Sequence, residues 1–281
     1  MKKAIWYLIV FLIVEVFVGI ISGLVFPNSG EGDSADREII VILFSSVVSG
    51  IIVMALFFWR RWCPVSLNYI RSRPLKVLLW TVVVALASLV PSVWLVELLP
   101  EQYIQNNYEA LFELIMCDGL GYVIVGLVAP LVEEVVFRGA ILRALLAWSD
   151  QWENKRETMT WAMISLSAII FALVHANPAQ MPHAFLMGIL LGWLYYRTGS
   201  IVPGVLFHWV NNTAAMLLAY AFPDVPVDAN LDAYFGGSQQ AVIVAIIISL
   251  IVFIPGLWRL NKLMKKAPNT IESSDSKDVF Q

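Results

Sequence analysis

Charge is what this chain has least of. Lys, Arg, Asp and Glu make up 14% of its 281 residues, where a soluble domain carries about 25%. That shortage excludes an ordinary soluble enzyme. There is no basic tract, so nucleic acid is not an expected partner. Cysteine is also scarce: only Cys63 and Cys117 occur, with no CxxC or metal-type spacing. The topology derived below puts them on opposite sides of a bilayer, so no disulfide is expected. No A-x-A-like cleavage site follows the first apolar run, which is too long for a signal peptide and reads as an uncleaved span. The end of the sequence is not a C-a-a-X signal. No internal repeat is visible, which argues against a transporter.

What is present is long apolar runs. Hydrophobic residues are 59% of the chain, and mean hydropathy is +0.77. A span needs roughly 20 apolar residues. The expectation is an all-α polytopic membrane protein, a bundle of about eight helices: Ala4–Phe26, Ile39–Trp59, Leu75–Leu99, Leu120–Trp148, Thr158–Ala176, Ala179–Tyr196, Ile201–Ala221 and Gln240–Leu260. Basic and acidic loops alternate along this series, which places both termini in the cytoplasm. In domain terms, 1–118 holds three membrane helices and their loops, and 119–221 the polar core. Residues 222–262 form an outer loop and the last helix, and 263–281 a disordered tail. Short charged loops and the lack of a targeting module suggest a prokaryotic plasma membrane.

Few ionisable residues fall inside these spans, and each is a functional candidate by default. They are Glu15, Glu133, Glu134, Arg138, His175 and His208, with Asn211 and Asn212 as polar companions. Glu134 and Arg138 stand at i and i+4 in "LVEEVVFRGAIL", the favourable order for a helical ion pair. Glu133 lies about 100° around the helix from Glu134. It should meet a different neighbour and escape neutralisation by the same arginine. Pro130 should kink this helix, because it has no N–H to donate. His208 and Asn212 in "HWVNN" also share a face. His183 falls in the turn "HANPAQMPH" and reads as a loop histidine, while Asn211 could replace Asn212 if the helix is rotated. Glu15 either pairs with a polar group, lines a water-filled cavity or carries a protonated carboxyl. Gly188 and Gly192 form a G-x-x-x-G that marks close helix packing.

A lone histidine in a span is usually a helix-to-helix hydrogen bond. Three acid or imidazole stations on three helices are harder to explain that way. A carboxylate and an imidazole converging on water can deprotonate it. A second imidazole and an amide can donate to a developing oxyanion. Two histidines and a carboxylate could equally hold zinc, although no HExxH is present.

"EEVVFR", "FALVH" and "HWVNN" resemble, in order, the EExxxR, FxxxH and HxxxN motifs of the CPBP family, the CAAX prenyl endopeptidase and bacteriocin-processing (Abi) membrane proteins. The resemblance covers roughly Leu120 to Met216. It implies an eight-helix bundle and an intramembrane endopeptidase acting on a membrane-associated protein or peptide. It also implies roles: Glu133 and His175 activate water, His208 and Asn212 form the oxyanion hole, and Glu134, Arg138 and Phe171 support them. No cofactor is expected on this reading. If a divalent metal such as zinc is bound, Glu133, His175 and His208 are its ligands. The alternative within the family is a non-catalytic immunity or scaffold protein.

Overall fold

A computed structural model describes residues 1–27, 34–104, 115, 119–226 and 229–264. Cys117, the acidic stretch 105–114 and residues 265–281 of the tail expected to be disordered lie outside the described residues, while Leu263 still belongs to the last helix. Every regular element among the described residues is helical. Besides three short 3-10 turns they are α1 (Lys2–Val25), α2 (Ser34–Trp59), the short α3 (Leu67–Arg71), α4 (Leu75–Glu97), α5 (Gly119–Ser149), α6 (Arg156–Val174), α7 (Met181–Thr198), α8 (Val202–Ala221) and α9 (Gln239–Leu263). The eight long helices match the expected spans in number and order. Six of them are long and apolar enough to cross a membrane: α1, α2 (from Arg37), α4, α5, α6 and α9. The other two, α7 and α8, are less apolar because they carry His183, Arg197, His208, Asn211 and Asn212. The chain is a polytopic helical membrane protein.

The helices pack antiparallel where the links are short. Tyr7 near the start of α1 packs, with rings tilted, on Phe57 of α2 and on Trp62 just past its end, while Phe26 meets Phe44. Between lipid-facing helices, apolar burial gives little drive, so close approach of small residues does the packing. Gly188 of α7 lies against Ala168 of α6, where a Cβ would come within 2.8 Å, and Gly192 lies against Ile164. The G-x-x-x-G spacing is therefore a helix contact. The turn after α7 uses Gly199 at φ +64°, the left-handed cap that glycine adopts without strain.

The centre of the bundle is α5. Half of its spanning window is buried, against 17% for α1 and α9. Val135, Val136, Phe137, Ala140, Ile141 and Leu142 are fully buried. Pro130 does not break this helix. The run stays helical but widens into π-helical turns over Tyr122–Val128 and again over Glu134–Leu142, with one α-helical turn, Ala129–Glu133, between them. In the π register the carbonyl of Val125 looks five residues on, to Pro130, which has no N–H to give. Helix α8 closes the gap: Asn212 Nδ2 donates to Val125 O at 2.9 Å, and Trp209 Nε1 donates to Leu127 O at 2.7 Å.

Candidate active site

The two adjacent glutamates of α5 end up on one imidazole. Glu134 Oε1 accepts from Arg138 Nη1 at 2.8 Å, the expected i, i+4 pair, with side-chain exposures of 0% and 1%. The same Glu134 oxygen lies 3.5 Å from His208 Nδ1. Glu133 Oε2 lies 3.7 Å from His208 Nε2. The expectation that Glu133 would point to a different neighbour is therefore corrected. Its helix widens to a π form from Glu134 onward, and His208 is large enough to present one ring nitrogen to each carboxylate. At 3.7 Å the Glu133 contact is electrostatic and not a hydrogen bond.

His175 stands at the C-terminal end of α6, just before Ala176 turns the chain at φ +52°. Its Nδ1 is 2.8 Å from Phe171 O. The carbonyl can only accept, so Nδ1 is the donor, and in the neutral tautomer this leaves Nε2 with the lone pair. Glu133 and His175 make no direct hydrogen bond. Phe171 is the hub between the stations. Its buried ring has His175 at 4.8 Å and His208 at 6.0 Å, both edge-on, and the Arg138 guanidinium at 4.2 Å from its centroid. A cation over an aromatic face is attracted by the ring's quadrupole, most strongly when desolvated.

The cluster is incompletely satisfied by protein groups. Glu133 Oε2, Glu134 Oε2, His208 Nδ1, and Arg138 Nε and Nη2 are buried without a hydrogen-bond partner. Gly204 of α8 makes this possible, since a Cβ there would sit 2.5 Å from Glu134 Oε2.

Asn212 belongs to this face of α8, but its amide is engaged with Val125 O. Asn211 points elsewhere. It is buried, donates to Ala85 O and Ser88 Oγ of α4, and its Oδ1 meets His183 Nε2 at 3.3 Å. His183 is not in a loop. It sits in the first turn of α7, because Pro182 starts that helix instead of ending the previous one. Glu15 has a partner too: Ser49 Oγ of α2 donates to its Oε2 at 3.1 Å, within electrostatic reach of Glu133. Gly204, Trp209 and Ser49 carry no ionisable group that would single them out in a span. Only the fold connects them to the site.

Among the described residues no three His, Cys, Asp or Glu side chains are placed to hold an ion. Glu133, His175 and His208 are not grouped closely enough to count as such a set.

Residues 118–214 match the family model "Type II CAAX prenyl endopeptidase Rce1-like". This segment is CAAX-protease-like. It contains every residue of the three motifs, from Glu133 to Asn212. Two curated bacterial relatives carry names of the same kind. A Bacillus subtilis (strain 168) protein, YdiL, named as a candidate membrane peptidase, is 26% identical over 113 residues, 40% of this chain and 43% of the relative. The membrane-embedded CAAX protease MroQ of Staphylococcus aureus (strain USA300) is 25% identical over 158 residues, 56% of this chain and 63% of the relative. The matched part thus spans less than two thirds of either relative. No solved structure matches the chain. The CAAX-protease-like segment spans α5 to most of α8, the helices that supply Glu133, His175 and His208.

Proposed function

We propose that this chain is an intramembrane endopeptidase that hydrolyses a peptide bond of a membrane-associated protein or peptide. The observation that supports it best is the unsatisfied polar cluster on α5 and α8, inside a segment of CAAX-protease-like sequence. Desolvating so many polar groups without partners costs stability that a purely structural core would avoid. In this reading water is held between Glu133 and the free Nε2 of His175. Glu133 takes its proton as the oxygen attacks the carbonyl carbon, and returns it to the leaving amine. His208, and the amide hydrogen of Asn212 not given to Val125 O, donate to the oxyanion. Glu134 and Arg138 position Glu133 and His208.

One observation favours the alternative of a non-catalytic immunity or scaffold protein. Asn212 already serves Val125 O, and His208 already bridges two carboxylates, as in a structural lock. The two readings separate in one experiment. Membranes holding wild-type protein or Glu133→Gln are compared by terminal-peptide profiling, and any peptide found is assayed with purified protein. Losing a general base should cost about 10²–10⁴-fold in rate. Equal cleavage by wild type, Glu133→Gln and His175→Ala would sink the peptidase reading. Activity unchanged by chelation would separate this chemistry from a metal-dependent one.

A further inference from the structure

The loop between α2 and α4 does not look like a plain solvated turn. Two of its backbone positions are left-handed, at φ +56° and +50°, and both are arginines, Arg61 and Arg73. Arg61 follows the end of α2, where Trp62 N reaches back to Phe57 O and Arg61 N to Phe58 O. Arg73 follows α3 and precedes Pro74. These are helix-end positions that glycine fills without strain. Arginine at both trades backbone strain for charge. Arg60 and Arg71 add two more exposed guanidinium groups, and Lys76 an ammonium. Arg60 lies 5.9 Å from the rings of both Trp59 and Trp62.

The same loop exposes apolar side chains. Trp59 is 77% exposed, Val65 and Leu75 64%, Ile70 54% and Leu67 51%. In water these would be a liability. At a membrane boundary they fit, because aromatic and aliphatic groups enter the headgroup layer while arginine reaches its phosphates. The loop is also anchored to the site helix. Arg143 Nη2 of α5 donates to Trp62 O at 3.2 Å, and the Cys63 thiol packs on Gly139, the neighbour of Arg138.

We propose that the 60–76 loop is a docking surface for anionic phospholipid. Arg60, Arg61, Arg71 and Arg73 take the headgroup phosphates, and Leu67 and Ile70 of α3 enter the acyl boundary. Positive charge, apolar knuckles and the end of two spans coincide there, and only a negatively charged leaflet complements all three.

The test uses full-length protein in phosphatidylcholine vesicles containing a photoactivatable phosphatidylglycerol. Crosslinks are mapped by mass spectrometry to the 60–76 peptide. Labelling should be competed by unlabelled phosphatidylglycerol and not by phosphatidylcholine. Each arginine removed should lower the yield about fivefold, as expected for a basic residue beside an anionic surface. The decisive variant is Arg61→Gly with Arg73→Gly, which relieves both strained positions while deleting the charge, so a folding defect cannot explain the loss. Arg60→Gln with Arg71→Gln tests the two unstrained positions. The proposal is overturned if either double variant labels like wild type. It is equally overturned if phosphatidylcholine competes as well as phosphatidylglycerol.

Discussion

Arg138 and Glu134 form a buried ion pair whose two partners depend on each other. Removing one leaves the other charged and desolvated, which costs about 3–5 kcal/mol. Glu134→Gln should therefore lower the unfolding free energy in detergent by that order. Glu133→Gln should cost much less, because Glu133 is a quarter exposed and makes no hydrogen bond in the cluster. Denaturant titration of the two variants checks the contrast, and equal losses would contradict it. Gly204→Ala tests the same cluster from α8. The added carbon would displace Glu134 Oε2, and overpacking of this kind costs about 1–3 kcal/mol. Cys63 offers a reactivity test. Burial pushes its thiol up to about 12, with Arg143 pulling weakly the other way. The reactive thiolate is then almost absent at neutral pH. Alkylation followed at the Cys63 peptide should be slow in folded protein and fast after unfolding. Rapid labelling of the native state would show that the loop opens.

At the scale of the element, α5 and α8 are coupled through a missing hydrogen. Pro130 cannot serve Val125 O, and Asn212 does so instead. Asn212→Ala should cost about 1 kcal/mol or somewhat more, since it leaves a part-buried acceptor unpaired. In a Pro130→Ala background the backbone can supply its own donor, and the cost should shrink. A double-mutant cycle reads this as a coupling energy, and additive losses would break the link. This element also shows where the sequence was legible. Apolar runs and charged loops located the long helices within a few residues, because hydropathy is a property of the run itself. The π-helical turns were not legible, since their residues are apolar in either register and periodicity does not distinguish them. Glu134 with Arg138 was readable from spacing alone. The convergence of both glutamates on His208 was not, because it depends on how far α5 widens and where α8 crosses it. His183 was misread because Pro182 serves a helix start as well as a helix stop.

At the scale of the whole molecule, polar residues are concentrated in the two least apolar helices. Helix α8 contacts α4, α5 and α7; its Trp209, Asn211 and Asn212 hydrogen-bond to partners there, while its His208 lies beside the Glu133 and Glu134 carboxylates. Those partners exist only once α4, α5 and α7 are in place. The consequence concerns synthesis. Helices α1, α2, α4, α5, α6 and α9 can enter a bilayer on their own apolarity. The α7–α8 hairpin is less apolar, and is expected to be accepted late, by helices already assembled around its place. Glycosylation-site mapping of a fragment carrying α7 and α8 alone should show it left outside the membrane. The same fragment expressed beside α1–α6 should be drawn in, so that insertion of the hairpin is also the closure of its site.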